Sequence, residues 1–294
     1  MFDSNSHCCV LSETQSASRY LVEQAGCQFG WLAPGICIAR NNLVDMIDNG
    51  VKAAYPKAWD AQLPRPGNSR PMGRTIVIGD IHGCFDELTD LLNLIELKKV
   101  DRVVTVGDLI VKGEKNREVL DLFIDDQRFS SVVGNHDRKL RQVWRGEPVR
   151  LTKAQKAARA ELEVDRERYS AFLQSLPFMI DLGSHLVVHA GVRPGVSLKY
   201  QMAADLTELR TMGANPARKR GLPWYQVYRG RKIVLFGHWP ADAPRRGPRA
   251  IGLDTGCVYG GSLTAYIIES NQFVSVPARL PYEPPKASPS MTLS

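Results

Sequence analysis

The stretch Arg74-Thr75-Ile76-Val77-Ile78-Gly79-Asp80-Ile81-His82-Gly83 decides the reading of this chain. Thr75–Ile78 is a short apolar, β-branched run, the pattern of a buried strand. It stops at a glycine, which lets the backbone turn sharply, and delivers Asp80 and His82 at the strand end. Leu88, Leu91, Leu92 and Ile95 then recur at helical spacing. The same grammar repeats downstream. Arg102–Val106 reads as a strand ending in Gly107-Asp108, and a helix near 114–124 follows. Phe129–Val133 reads as a third strand, ending in Gly134-Asn135-His136-Asp137. Strand, loop, helix, strand specifies βαβ units, an α/β fold with a largely parallel sheet. Such sheets bind ligands beyond the carboxyl ends of their strands, where these polar clusters fall.

Residues 138–175, with the run TKAQKAARAELE, read as a helical insertion. Strands resume at 178–182 and 186–188, the second ending in His189-Ala190-Gly191. A helix is expected near 197–212, then a strand over 232–236 ending in Gly237-His238. Three last strands, 250–253, 263–268 and 272–276, are separated by turn residues and suit antiparallel pairing.

Five strand ends therefore supply Asp80 and His82, Asp108, Asn135 and His136, His189, and His238. Carboxylate, imidazole and amide oxygen form the ligand set of Mn²⁺, Fe or Zn²⁺, and no cysteine stands among them. A lone Asp-x-His or Gly-His is usually only a loop. Five such clusters in order, each at a strand end, point to two ions sharing a bridging carboxylate. Two ions ~3.5–4 Å apart can clamp a phosphate and acidify the water between them.

The motifs GDIHG, GDLIVKG, GNHD, HAG and FGH resemble the calcineurin-like metallophosphoesterases of the phosphoprotein-phosphatase superfamily, over about Arg74 to Pro277. HAGVRPG, GLPWY and GLDTGCVYGGSLTA are similar to the ApaH-like phosphatases, the branch of the bacterial symmetrical dinucleoside tetraphosphatase, as is Cys84. The resemblance implies two packed mixed β-sheets flanked by helices, with a di-metal site at the strand ends. It implies Asp80, His82 and Asp108 on a first metal, Asp108 as the bridge, and Asn135, His189 and His238 on a second. Mn²⁺ is the first choice of metal, with Fe, Zn²⁺ or Co²⁺ as alternatives. A metal-bridging hydroxide would attack phosphorus, and His136 would be the general acid on the leaving oxygen.

One segment departs from the phosphoprotein-phosphatase pattern GDxVDRG. Val111 replaces the acid that partners the catalytic histidine, and Lys112 replaces the phosphate-binding arginine. Without the carboxylate, His136 must be tuned otherwise. Lysine meets a phosphate as a point charge and cannot make the planar fork of arginine. This segment speaks against a serine/threonine protein phosphatase. Arg138 and Arg193, beside ligand motifs, are expected to touch substrate phosphates unless they are ordinary surface arginines. Asp137 either supports the ligands from behind or shapes a turn. Asp254 reads as a turn residue, and the Trp224–Tyr225 pair as core in preference to a base-stacking platform.

The 294 residues are 44% hydrophobic and 23% charged, which excludes a disordered chain, a collagen-like repeat or a coiled coil. No apolar run approaches the ~18 residues of a membrane span. Six cysteines without a CxxC pair suit a reducing compartment, and a cytoplasmic location is expected. Residues 1–73 read as an extension and linker with a helix near 41–55, residues 74–277 as the catalytic domain, and 278–294 as a disordered tail. The extension carries six basic and six acidic side chains up to residue 72, so the formal charge of +7 belongs to the rest. Residues 214–249 hold nine basic residues against Asp242, a net of +8 around His238. They are expected to rim the site as a funnel for a polyanion: polyphosphate, a dinucleoside polyphosphate or a capped RNA 5′ end. Two other classes fit less well. A catalytically silent scaffold need not retain every ligand, and a plain nucleic-acid module lacks a matching motif.

Overall fold

The computed structural model describes residues 29–33, 36–39 and 73–283. The chain divides into two units, 1–68 and 69–294. In the first, strands β1 (Phe29–Ala33) and β2 (Ile36–Ala39) pair antiparallel. The helix expected over 41–55 lies outside the described residues.

The second unit holds two five-stranded sheets. The first has the order β12-β11-β3-β4-β5. Its strands are β3 (Thr75–Ile78), β4 (Arg102–Thr105), β5 (Phe129–Ser131), β11 (Ser262–Ile267) and β12 (Gln272–Pro277). β3, β4 and β5 run parallel, while β11 joins β3 antiparallel and carries β12 antiparallel outside it. The second sheet has the order β6-β7-β8-β10-β9. It comprises β6 (Met179–Asp181), β7 (His185–Val188), β8 (Ile233–Phe236), β9 (Arg245–Gly247) and β10 (Ala250–Gly252). β7, β8 and β10 are parallel, with β6 and β9 antiparallel at the edges.

Side-chain alternation builds the layers. Val77, Val104, Val187 and Leu235 meet in a buried cluster between the sheets. Their neighbours Ile76, Ile78 and Val103 face outward, onto helices α1 (Phe85–Leu94), α2 (Asn116–Asp125), α3 (Asn135–Trp144), α4 (Lys153–Leu162) and α5 (Arg166–Ser175). Leu186, Val188, Val234 and Phe236 pack on the other side against α6 (Ala203–Glu208) and α7 (Trp224–Val227). The result is helix, sheet, sheet, helix, with every parallel strand delivering its carboxyl end to one edge.

Three local expectations are corrected. The helix read near 197–212 shrinks to α6, because Gln201 folds its amide onto the main chain of Arg193 and Val196 and ends the turn before it. The strand near 250–253 does not pair with the two that follow; it joins β8 in the other sheet. Residues 278–283 are not a loose tail, since Arg279 N–H and Tyr282 Oη donate to Glu87 at 2.9 and 2.8 Å. Residues 284–294 lie outside the described residues.

Candidate active site

His82, Asp108 and His238 follow strands β3, β4 and β8, and all three have left-handed backbone, with φ of 52°, 50° and 68°. Non-glycine residues adopt this region rarely and at a cost. Here it turns the chain back at the sheet edge so that the side chains converge. Two glycines permit the approach. A Cβ at Gly134 would collide with the Asp108 main chain and carboxylate, and one at Gly237 with the Asp80 carboxylate.

Asp108 stands at the centre. Its Oδ1 accepts the His136 main-chain N–H at 2.9 Å. Its Oδ2 lies 3.5 Å from Nε2 of both His82 and His189. Those rings are oriented from behind. His82 Nδ1 lies 3.3 Å from the Ile110 carbonyl and His189 Nδ1 2.8 Å from the Val106 carbonyl, so each Nδ1 carries the proton and each Nε2 presents a lone pair. Asn135 Oδ1 is 2.9 Å from His189 Nε2 and from His238 Nδ1. Asp80 accepts the His238 N–H at 3.0 Å through Oδ2.

This donor set fits cations. At His189 Nε2 a lone pair faces the oxygens of Asn135 and Asp108, three acceptors with no proton among them. His238 Nε2 is buried without a partner among the described residues. Ligand atoms of Asp108, His189 and His238 lie within 4.8 Å of one another, as do those of His82, Asp108 and His136. Burial pushes the Asp108 carboxyl up to about 6 and the Asp254 carboxyl up to about 6. Burial, with Asp254 and Asp108 close by, holds Asp80 well above the ordinary carboxylate value. Burial lowers His189 to about 4 and holds His82, His136 and His238 well below the ordinary imidazole value. Carboxylates that resist ionising and imidazoles that resist protonation are relieved together by divalent cations.

The supporting residues sort themselves by their bonds. The Asp137 carboxylate is fully buried and accepts the N–H groups of Gly134, Leu109 and Ile110 at 3.0, 3.3 and 3.4 Å. It caps α3 and ties that helix start to the loop after β4. Lys112 Nζ donates to His82 Nε2 at 2.9 Å and sits 5.1 Å over the Tyr259 ring. Arg138 Nη1 donates to Thr207 Oγ1 at 3.2 Å, its one side-chain bond among the described residues. Arg193 makes its contacts among the described residues elsewhere than with the ligand side chains. Its guanidinium forks onto Asp205 and donates to the Gly213 carbonyl, partners that a phosphate would have to share. Asp254 does fix a turn, accepting the Gly256 N–H, and its carboxylate is buried near Asp80 as well. Trp224 is buried, with its indole N–H on the Ala190 carbonyl, so it is core.

Arg210 was missed in the sequence. It is half-buried and donates through Nη2 to the His238 carbonyl, while its Nε is buried without a partner among the described residues. Burial lowers its pKa, and Glu208, Asp254, Asp108 and Asp80 pull it back up. A half-buried cation with an unused donor beside this centre is suited to a phosphate. No apolar run or strand end marks it; only the short α6 brings it here.

The family model for the calcineurin-like phosphoesterases matches residues 73–276. The chain belongs to that family. It is a phosphoesterase, a hydrolase whose family works with divalent metals. It is 31% identical to the asymmetrical bis(5′-nucleosyl)-tetraphosphatase PrpE of Bacillus subtilis (strain 168), over 72% of this chain and 98% of that one. The PrpE of Anoxybacillus flavithermus is also 31% identical, with the same coverage. A crystal structure described as a candidate diadenosine tetraphosphatase superposes with a TM-score of 0.59 at 30% identity, covering 72% of this chain and 96% of that one. A protein serine/threonine phosphatase from Saccharomyces cerevisiae shares the fold, with a TM-score of 0.50 at 14% identity over 72% and 82% of the two chains. These curated relatives bear the asymmetrical name, whereas the sequence motifs resemble the symmetrical branch. No helix among the described residues is long and apolar enough to cross a membrane.

Proposed function

We propose that this chain is a two-metal hydrolase of phosphoanhydride bonds, acting on dinucleoside polyphosphates or on other oligophosphates such as polyphosphate or a capped RNA 5′ end. The observation that carries the reading is Asp108 Oδ2 set 3.5 Å from two imidazole nitrogens at the meeting of both sheets. Asp80, His82 and Asp108 would hold one cation, and Asp108, Asn135, His189 and His238 the other. Mn²⁺ is our first choice, with Fe, Zn²⁺ or Co²⁺ as alternatives. The bound ions would supply charge neutralisation and an acidified water. The protein's own share is orientation. The Ile110 and Val106 carbonyls hold the His82 and His189 rings. Arg210 on the His238 carbonyl, Lys112 on His82 Nε2 and Arg138 on Thr207 are the cations that would meet phosphate oxygens. His136 would face the leaving oxygen as acid or hydrogen-bond donor. A cytoplasmic setting is proposed as well, supported by Cys84 and Cys257 being free thiols.

The relatives named for tetraphosphate cleavage support this substrate class over phosphoserine. The test is a substrate panel on the full chain: diadenosine tetraphosphate, inorganic polyphosphate, capped RNA and a phosphopeptide, each with Mn²⁺, Co²⁺, Zn²⁺ and Mg²⁺. Higher kcat/KM on the oligophosphates is expected. Preference for the phosphopeptide would return the protein-phosphatase reading, and inactivity on all would favour the scaffold.

A further inference from the structure

Val111 removes the carboxylate that would accept a proton from His136, and its side chain is buried in the core instead. A different residue has taken the place beside the ring. Gln155 Nε2 lies 3.3 Å from His136 Nδ1, with Gln155 itself 1% exposed. The orientation of this amide is settled by its other end. Gln155 Oε1 accepts the Thr152 main-chain N–H at 2.9 Å, and Thr152 Oγ1 accepts the Gln155 N–H at 3.3 Å, the reciprocal bonds of a helix capping box. A main-chain N–H only donates, so the oxygen must face Thr152 and the NH₂ must face His136. A donor against Nδ1 makes that nitrogen an acceptor. The ring proton then sits on Nε2, the nitrogen left for the metal centre.

We propose that Gln155 is a positioning residue that fixes the His136 proton on Nε2, and that this selects substrates whose leaving group is itself a phosphate. The specificity half rests on the phosphohydrolase reading above. The chemistry is a matter of where a proton can go. Water forms the new P–O bond and releases one proton to solvent; the old P–O bond breaks, with its electron pair on the leaving oxygen. A departing phosphate is stable as an anion at neutral pH, its second pKa being ~6. It needs only a hydrogen bond, which Nε2–H supplies. A serine alkoxide is a far stronger base and must be handed a proton. A carboxylate on Nδ1–H would support that transfer, whereas an amide donor opposes it, because a second proton on Nδ1 would face the amide hydrogens.

The discriminating variant is Gln155→Glu. Glutamate serves the capping box as well as glutamine, so α4 keeps its start, and its second oxygen accepts from Nδ1–H. Two-bond ¹⁵N–¹H spectra of the histidine-labelled, metal-free full chain at pH 8 read the tautomer. Wild type should show His136 with Nδ1 unprotonated and Nε2 protonated, and Gln155→Glu should move the proton to Nδ1. With Mn²⁺ restored, the kcat ratio of a phosphoserine peptide to diadenosine tetraphosphate should rise ~10-fold or more in Gln155→Glu, part of the ~10²–10⁴-fold a general acid provides. A role confined to capping would move neither readout. An Nδ1–H tautomer in wild type, or an unchanged ratio, overturns the proposal. Wild type inactive on both substrates would overturn the phosphohydrolase reading and the specificity half with it, while the spectra still decide the tautomer.

Discussion

Asp108 Oδ1 accepts the main-chain N–H of His136 at 2.9 Å, so the end of β4 and the start of α3 are held by the same carboxylate whose other oxygen faces two imidazoles. The two oxygens have separable duties. In Asp108→Asn the amide oxygen still accepts from His136, and the fold survives. The NH₂ group replaces the oxygen between His82 and His189. We expect turnover below detection and a loss of metal at both positions, read by elemental analysis of the dialysed protein, with a thermal midpoint close to that of wild-type metal-free protein. Full metal content in this variant would remove Asp108 from the role of bridge.

Arg210→Ala should lower kcat by ~10²–10³-fold, the usual cost of one aligned donor to developing phosphate or oxyanion charge. Arg210→Lys should recover only part, since an ammonium cannot offer both Nε and Nη2. Metal content should not change in either variant. Equal kcat in Arg210→Ala and wild type would show that the guanidinium serves only the His238 carbonyl.

Away from the centre, Asp101 gives a pH prediction. Its carboxylate is nearly fully buried and accepts from Arg74 N–H, Nε and Nη2 and from Lys98 N–H. Burial opposes ionisation, but these donors hold the Asp101 pKa down to about 2. A depressed carboxyl stabilises the fold above its ordinary pKa, and that stability is lost as pH falls through the folded value. Asp101→Asn should therefore cost about 2 kcal/mol at pH 7, since each tenfold change in proton affinity is worth ~1.4 kcal/mol. The gap to wild type should narrow below pH ~4 and nearly close at pH ~2. Urea unfolding of both proteins across this range checks it, and a gap independent of pH would refute the linkage.

The residues legible in the sequence are those whose signal is local. Asp80, Asp108, Asn135, His189 and His238 each end a short apolar run, so strand and ligand announce one another within six residues. Gln155 and Arg210 carry no such mark. The capping pair Thr152 and Gln155 stands plainly in TKAQ, yet only the packing of α4 against α2 and α3 puts that amide on His136. Arg193 shows the converse: it lies beside a ligand motif in sequence, and its partner is a buried Asp205 twelve residues on, which no local pattern announces. Strand β9, the sequence RRG, shows no apolar alternation and forms by completing an edge.

The basic window around His238 divides in the same way. Arg231 and Lys232 precede β8, and Arg249 donates to the Arg231 carbonyl, so these lie at the strand's amino end, roughly 13 Å of strand from His238. That part of the expected rim is corrected; Lys232 is moreover paired with Asp181. Arg218, Lys219 and Arg220 are placed otherwise. The carbonyls of Arg218 and Arg220 accept from Thr211 Oγ1 at 2.8 and 3.4 Å, one residue from Arg210. All three side chains are exposed, and none forms an ion pair among the described residues. An exposed basic cluster whose main chain is tied one residue from Arg210 would add attraction that grows with the number of phosphates and is screened by salt, the Debye length falling from ~30 Å at 0.01 M to ~8 Å at 0.15 M. Replacing Arg218, Lys219 and Arg220 together with alanine should raise KM for diadenosine tetraphosphate several-fold at low salt and flatten its salt dependence. Hydrolysis of a small aryl phosphate should hardly change. The charge-matched control replaces Arg229, Arg231 and Arg249, and should leave the salt slope near wild type. Equal slopes for the two triple variants would mean that net charge alone, and not the loop beside Arg210, steers the substrate.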